Sequence, residues 1–218
     1  EWINALPQVN QPIFIAMDTA KMRDQFVIAI GLTKDPLIAA QKYLDLEVPY
    51  MEALPIGTPY DDALRRVKEI INEYKDSGIA VIGYDATGQK TFGDMARITG
   101  VNVTPVDFSR KETNKTQLYA DFKMMAEQRK IKVVYSRQAE NQLSGLRFKL
   151  TASKKYSTIE ADKESTHDDF ADCLAIMISI AVKPTRIPVS VTEVHVGSNK
   201  PVSDSTNRKI LSYEECAV

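Results

Sequence analysis

Two aspartates each follow a short apolar run at the point where a buried strand is expected to end. Ile13 to Met17 leads into Asp18, and Ala80 to Tyr84 leads into Asp85. Because α/β folds place ligands where such strands end, the two carboxylates are candidates to meet at one edge of a sheet. A single aspartate there is more often a turn former or a helix cap, and only the pair of them favours a ligand site.

Three more carboxylates lie between Thr166 and Asp172, at the start of a helix that we expect to end near Val182. That helix is apolar almost all round, which predicts that it is buried. At 100° per residue Asp169 falls on the inward stripe, whereas Asp168 and Asp172 share another face. Asp172 is placed to share a metal with either of the other two. The alternative interpretation is a capping box that begins at Thr166.

Carboxylates that converge without cysteine ligands form a hard oxygen site, which suits Mg²⁺ or Mn²⁺. Phosphodiester hydrolysis uses such sites, with two ions about 3.5 to 4 Å apart on the scissile phosphate. Like charges packed closely repel each other, so bound metal should also stabilise the fold locally. The candidate metal ligands are Asp18, Asp85, Asp168, Asp169 and Asp172. Which of the last three completes the site stays open.

The order and spacing of these features resemble the nuclease domain of the large terminase subunit of tailed bacteriophages. Three pieces carry the likeness across residues 12–182: a strand ending Ala-Met-Asp18, a strand ending Gly-Tyr-Asp85, and the motif His167-Asp168-Asp169-x-x-Asp172. The segment Asn114-Lys-Thr-Gln-Leu-Tyr119 and the polar hairpin before the His-Asp-Asp motif also fit that family.

This resemblance implies a ribonuclease H-like fold, an α/β domain with a mixed β-sheet flanked by helices on both faces. It implies a metal-dependent endonuclease that cuts double-stranded viral DNA concatemers during packaging, largely without sequence preference. Asp18, Asp85 and Asp169 would be the catalytic residues, two Mg²⁺ or Mn²⁺ ions the cofactors, and Asp24 an accessory acid. His167 is placed to orient a carboxylate or protonate a leaving group, or is a simple surface histidine.

The resemblance also implies partners. The family joins this domain to an ATPase, but the sequence lacks a Gly-x-x-x-x-Gly-Lys-Ser/Thr phosphate loop, so the motor must lie elsewhere. Because the sequence begins at Glu1 without an initiator Met, we expect a piece of a longer protein. Portal and small terminase subunit are further expected partners, in the cytoplasm of the infected host cell.

Basic residues are concentrated in one part of the chain. Residues 110–155 contain twelve Lys or Arg and four acids, although the whole chain has a net charge of −1. Such a segment is typical of a surface that holds the DNA backbone, or simply of solvated helix faces. The leading candidates for DNA contacts are Arg147, Lys149, Lys154 and Lys155.

Hydrophobic periodicity predicts alternating strands and helices. Beyond the strands already named, we expect strands at 26–30, within 37–48, at 101–106 and at 131–135, and an exposed hairpin over 148–161. Helices are predicted from Thr58 as N-cap, with Pro59 first, to a stop at Gly78, and at 92–98, 114–128 and 138–146. Residues 1–11 are interpreted as a linker, 12–182 as the nuclease domain and 183–218 as a tail.

Several classes of protein fit the sequence less well. Cys173 and Cys216 lack paired spacing, which argues against a disulfide scaffold, and no apolar run is long enough to span a membrane. A junction resolvase or an integrase-type recombinase shares the acidic centre, but the His-Asp-Asp helix start favours terminase. An actin-like nucleotide-binding fold would need glycine-rich turns after Asp18. A non-catalytic DNA-docking module stays open and would bind DNA without a metal requirement.

Overall fold

The computed structural model describes residues 6–19, 24–33, 45–87, 90–110, 113–150, 157–161 and 167–181, with the backbone alone at 90, 148–150 and 157–161. All of them belong to a compact unit that spans residues 1–186. The predicted tail, 183–218, lies outside the described residues, and the predicted domain boundaries stay predictions. No helix in the described part of the chain is long and apolar enough to cross a bilayer.

Strands and helices alternate along most of the chain, as the periodicity predicts. The strands are β1 (Ile13–Asp18), β2 (Val27–Thr33), β3 (Leu46–Ala53), β4 (Ile79–Asp85), β5 (Thr104–Val106), β6 (Ile131–Val133), β7 (Leu146–Leu150) and β8 (Ser157–Ala161). The helices are α1 (Tyr60–Glu73), α2 (Lys90–Ile98), α3 (Lys115–Glu127), α4 (Arg137–Gly145) and α5 (Asp169–Ala181).

Six strands of the described chain form one mixed sheet in the order β5-β4-β1-β2-β3-β6. The chain order explains the mixture: β1, β2 and β3 follow one another as antiparallel neighbours, whereas the helical crossovers to β4, β5 and β6 give parallel pairs. The strands β7 and β8 pair as a separate antiparallel hairpin, which confirms the hairpin predicted over 148–161.

Helices cover both faces of the sheet, which confirms the predicted fold class. Alternation along β1 sends Ile13, Ile15 and Met17 to the core under α1 and α2. Ala16 faces the other core, which α3 and α5 cover. Every residue of α5 is buried, as its apolar composition predicts. The carboxyl end of β1 therefore points Asp18 to the α5 side of the sheet.

Gly83 lets α5 lie close against β4. A Cβ at this position would come within 2.7 Å of Ile180 Cγ2 and 3.2 Å of Ile176 Cγ2. We expect Gly83→Ala to lower the free energy of unfolding by about 1 to 3 kcal/mol, because the helix must shift outward to admit the methyl group. Urea denaturation measures this, with Ala80→Ser at an exposed position of the same strand as control. Equal stability of the two variants would contradict it.

Several predicted boundaries were wrong. The helix α1 ends at Glu73 rather than at Gly78, and β5 and β6 are shorter than the predicted 101–106 and 131–135. Pro59, not Thr58, is the N-cap of α1, and the Thr58 hydroxyl instead donates to the Pro55 carbonyl at 2.6 Å. The third strand runs over Leu46–Ala53, later than the predicted 37–48, of which residues 37–44 lie outside the described chain. Pro49 lies within this strand, where the register shifts between Ile30 and Leu32 of the partner strand, and proline is tolerated at such irregularities.

Candidate metal centre

Asp18 and Asp85 lie at the carboxyl ends of two adjacent parallel strands. The register pairs Met17 of β1 with Tyr84 of β4, so the aspartate that follows each lies beside the other. Asp18 is only 8% exposed. The backbone N–H of Thr87 donates to Asp85 Oδ1 at 2.7 Å, which fixes that carboxylate. The structure thus brings the two strand-end aspartates together, as expected.

The first turn of α5 lies against the same edge and adds three carboxylates. The Asp172 N–H donates to the Asp168 carbonyl at 2.7 Å, so the helix begins directly after Asp168. Asp169 is buried, and its Oδ2 accepts the backbone N–H of Gln25 at 3.3 Å. The predicted cap, Thr166, lies outside the described residues. Among the described residues, Gln142 of α4 contacts the helix start, and its Oε1 accepts the Phe170 N–H at 2.8 Å.

Two residues of α3 contact this acidic turn. Lys115 Nζ lies 2.7 Å from Asp168 Oδ2 and 2.7 Å from Asp172 Oδ2. The Tyr119 hydroxyl donates to Asp172 Oδ1 at 2.6 Å. Burial lowers the pKa of Lys115, but the Asp172 and Asp168 carboxylates raise it, and the net shift is upward. The ammonium therefore stays charged, and it links α3 to α5.

Asp18 is the electrostatic centre of the group. Burial raises its pKa well above the ordinary value, and repulsion from four other carboxylates raises it further; these are Asp172, Asp85, Asp169 and Asp168. Burial also raises the pKa of Asp169 to about 6, against the opposing Gln25 N–H. Burial raises that of Asp172 to about 7, although Lys115 opposes the shift. Five carboxylates thus crowd one edge of the sheet.

These shifts predict how the metal-free protein responds to pH. A carboxyl with a raised pKa in the fold binds its proton more tightly folded than unfolded, so stability falls as pH rises past its unfolded pKa. In EDTA we expect the melting temperature to fall between about pH 4 and pH 7, the window that the pKa shifts of Asp169 and Asp172 define. Saturating Mg²⁺ should reduce the fall. A metal-free melting temperature that rises through this window would contradict the prediction.

Asp24 and His167 extend the acidic edge towards the start of β2. Together with Asp169 they offer three potential metal ligand atoms within 4.8 Å of one another. His167 Nδ1 lies 3.3 Å from Asp24 Oδ1, and both side chains are about half exposed. The predicted accessory acid therefore lies next to the predicted catalytic Asp169.

The donor set fits a divalent cation. Buried carboxylate oxygens that repel one another gain most from a hard cation among them, and oxygen donors are what Mg²⁺ and Mn²⁺ prefer. The Cys173 thiol faces inward instead, with its Sγ 3.4 Å from the Ala16 carbonyl oxygen. Among the described residues, the group whose ligand atoms lie close enough to share one ion is Asp24, His167 and Asp169, on the solvent side of the strand ends.

Solved structures with the same fold are large terminase nucleases. The nuclease from thermophilic phage G20c with bound magnesium superposes with a TM-score of 0.64 at 20% identity, over 81% of this chain and 83% of that chain. The SPP1 nuclease domain with bound Mn gives a TM-score of 0.51 at 9% identity, over 78% and 87%. The HK97 large terminase superposes with a TM-score of 0.59 at 10% identity, over 79% of this chain and 40% of that chain.

The chain has the fold of large terminase nuclease domains. It is an α/β fold with a mixed sheet flanked by helices, as the resemblance implied. No protein-family model and no curated protein sequence matches the chain. The likeness is therefore one of fold at low sequence identity.

The predicted DNA contacts are only partly visible on this terminase-type fold. Arg147 is exposed at the start of the hairpin, and its Nη1 donates to the carbonyls of Ser144 and Leu146 at 2.7 and 3.1 Å. Lys149 belongs to β7, but its side chain is not among those described. Lys154 and Lys155 lie outside the described residues. Their role in DNA binding stays a prediction.

Sequence reasoning missed Lys115 and Tyr119 as site residues. The segment that contains them carries the family likeness but does not by itself predict a contact with the acidic turn. The sequence did contain one signal. Lys115 and Tyr119 are four positions apart and therefore share one face of a helix, and the acidic cluster of the same chain has negative charge that a lysine could neutralise. Lys115 contacts Asp168 and Asp172, which follow it in the sequence by 53 and 57 positions, and periodicity cannot predict contacts over such separations.

Proposed function

We propose that this chain is the nuclease domain of a large terminase subunit, a metal-dependent endonuclease that cuts double-stranded DNA during viral genome packaging. The observation that carries the proposal is the group of five carboxylates at the sheet edge, in which four surround the buried Asp18. Support comes from the shared fold with large terminase nucleases that were solved with magnesium or Mn bound.

Asp18, Asp85 and Asp169 would hold the metal, with Asp24 as an accessory acid. Two divalent ions there would polarise the scissile phosphate, activate the attacking water and stabilise the leaving oxygen. The protein fixes the ligands in advance: the Thr87 N–H orients Asp85, and the Gln25 N–H orients Asp169. Such preorganisation spares the site from reordering its charges during the reaction.

His167 is the residue through which protons could move near this centre. Its Nδ1 contacts Asp24 Oδ1 at 3.3 Å, and the side chain is about half exposed, so water and substrate can reach the ring. The contact orients Asp24 towards Asp169, and the imidazole is placed to hold or deliver a proton at the solvent side.

The DNA is held by its backbone. A packaging nuclease must bind many sequences, and phosphate contacts from Arg147, Lys149, Lys154 and Lys155 would supply that binding. The ATPase would be another domain of the same terminase, and portal and small terminase subunit would be partners of the assembled motor in the cytoplasm of the infected cell.

Plasmid cleavage tests the proposal. Supercoiled DNA is incubated with the protein in EDTA, Mg²⁺ or Mn²⁺, beside Asp85→Asn shown by circular dichroism to be folded. We expect nicked and linear products only with metal, and none from the variant. Cleavage in EDTA, or DNA bound but intact in every metal, would contradict the proposal, and the latter favours a docking module. Strong preference for a four-way junction over plasmid would indicate a resolvase instead.

A further inference from the structure

Lys115 bridges two carboxylates rather than pairing with one. Its Nζ is 2.7 Å from Asp168 Oδ2 and 2.7 Å from Asp172 Oδ2. An ammonium is a compact point charge with three donors, and this geometry uses two of them on different residues. A cation therefore already lies between the two outer carboxylates of the α5 turn.

The surroundings of the ammonium are built for a cation. Its Nζ lies 5.8 Å from the ring centroid of Phe108 and 5.9 Å from that of Tyr119, and aromatic faces attract positive charge. The Lys115 side chain is 28% exposed, and that of Asp172 is 11% exposed. Water therefore screens this bridge less than it screens a surface ion pair.

The helix α3 fixes the position of this cation. Lys115 is its first residue, and the preceding Asn114 caps the helix by accepting the Gln117 N–H at 3.3 Å. One turn later Tyr119 donates to the second oxygen of Asp172 at 2.6 Å. Both oxygens of Asp172 are thus bonded to α3, so this carboxylate is committed to the helix and not to the strand-end aspartates.

The opposite half of the acidic edge has a different character. Asp169 accepts a backbone N–H from Gln25 and lies near Asp24 and His167. Within the part of the chain that the structure describes, no lysine or arginine forms an ion pair with Asp18 or Asp169. Among the described residues, a lysine compensates the Asp168 and Asp172 carboxylates, whereas Asp18 and Asp169 have no such lysine or arginine.

We propose that Lys115 is a positioning residue that serves as a resident cation: it occupies the place between Asp168 and Asp172 and confines divalent metal to the side of Asp18, Asp85 and Asp169. This inference rests on the proposed function for the metal at those three residues. It also assigns Asp168 and Asp172 a role in docking α5 on α3 rather than in binding metal.

Replacing the ammonium by a neutral side chain of similar length tests this role. In EDTA, Lys115→Met should lower the melting temperature by roughly 5 to 10 °C, because two partly buried carboxylates lose their cation. Saturating Mn²⁺ should recover most of that loss, since the ion can take the vacated place. Calorimetric titration with Mn²⁺ should show one more bound ion per chain than in the wild type.

Three further variants separate this role from simple packing. Lys115→Arg keeps a cation and should bind as many Mn²⁺ ions as the wild type. Lys115→Met combined with Asp172→Asn removes the cation and one carboxylate, so the extra ion should be lost and the metal-free stability partly restored. Lys132→Met removes an exposed ion pair with Glu47, which lies at 3.2 Å, and should change neither quantity.

The outcomes are distinct. An unchanged Mn²⁺ stoichiometry in Lys115→Met, or a chain that stays unfolded in Mn²⁺, would overturn the inference. The proposed function is judged separately, by whether Asp18→Asn abolishes the Mn²⁺ binding of the otherwise wild-type chain. A wild type that binds no Mn²⁺ would contradict the proposed function. The number of Mn²⁺ ions that Lys115→Met binds beyond the wild type would still decide the role of Lys115.

Discussion

Asp18→Asn is expected to abolish metal-dependent DNA cleavage while making the metal-free protein more stable. Loss of a residue that only orients a metal ligand typically lowers metal affinity or activity 10- to 100-fold. Loss of the central carboxylate itself should therefore lower the cleavage rate about 100-fold or more. The stability gain follows because Asp18 is buried among four other carboxylates that repel it. Asparagine keeps the shape and removes the charge.

Initial rates of plasmid cleavage in Mg²⁺ and melting temperatures in EDTA check both halves of this prediction. We expect the melting temperature to rise by a few degrees, which corresponds to about 1 kcal/mol for a domain of this size. Asp76→Asn, the same substitution at an exposed position, should change neither quantity. Full cleavage by folded Asp18→Asn would remove Asp18 from the mechanism. A fall in its metal-free stability would show that the carboxylate is compensated by groups other than metal.

Asp169→Asn and Asp168→Asn should differ sharply although the residues are neighbours. Asp169 is buried, and its carboxylate faces Gln25, Asp24 and His167, on the side where metal is proposed to bind. Asp168 is one-third exposed and is held by Lys115. We expect Asp169→Asn to lose about 100-fold in cleavage rate, and Asp168→Asn less than about 10-fold.

Cleavage rates measured over a range of Mg²⁺ concentrations make this comparison. The apparent affinity for Mg²⁺ should fall in Asp169→Asn and stay near that of the wild type in Asp168→Asn. Equal loss in both variants would place metal on the Lys115 side of the edge. That result would contradict the ligand assignment and the resident-cation role together.

The strand-end aspartates could be predicted because strand periodicity is local. An apolar run followed by an aspartate predicts both the strand and the place where it leaves the core, and the structure places Asp18 beside Asp85. The helical repeat likewise predicts that Asp168 and Asp172 share a face apart from Asp169. The structure agrees, since Lys115 bridges the first two while Asp169 faces Gln25.

The compensation of these charges could not be predicted in the same way. Counted over the whole residue, Asp172 is 7% exposed and thus about as buried as Asp169, because α3 packs Lys115 and Tyr119 against it. That contact depends on how two distant helices lie on the sheet. The extension of β3 beyond the predicted Val48 could not be predicted for a related reason, since an irregularity in its pairing with β2 accommodates Pro49.

Diffraction from crystals soaked in Mn²⁺ tests the central claim most directly, because the anomalous signal locates the ion without reference to activity. We expect a peak about 2.1 Å from a carboxylate oxygen of Asp18, shared with Asp85 or Asp169, and none between Asp168 and Asp172 while Lys115 is present. Peaks confined to surface carboxylates, or a peak that displaces the Lys115 ammonium and leaves Asp18 without a ligand bond, would contradict it.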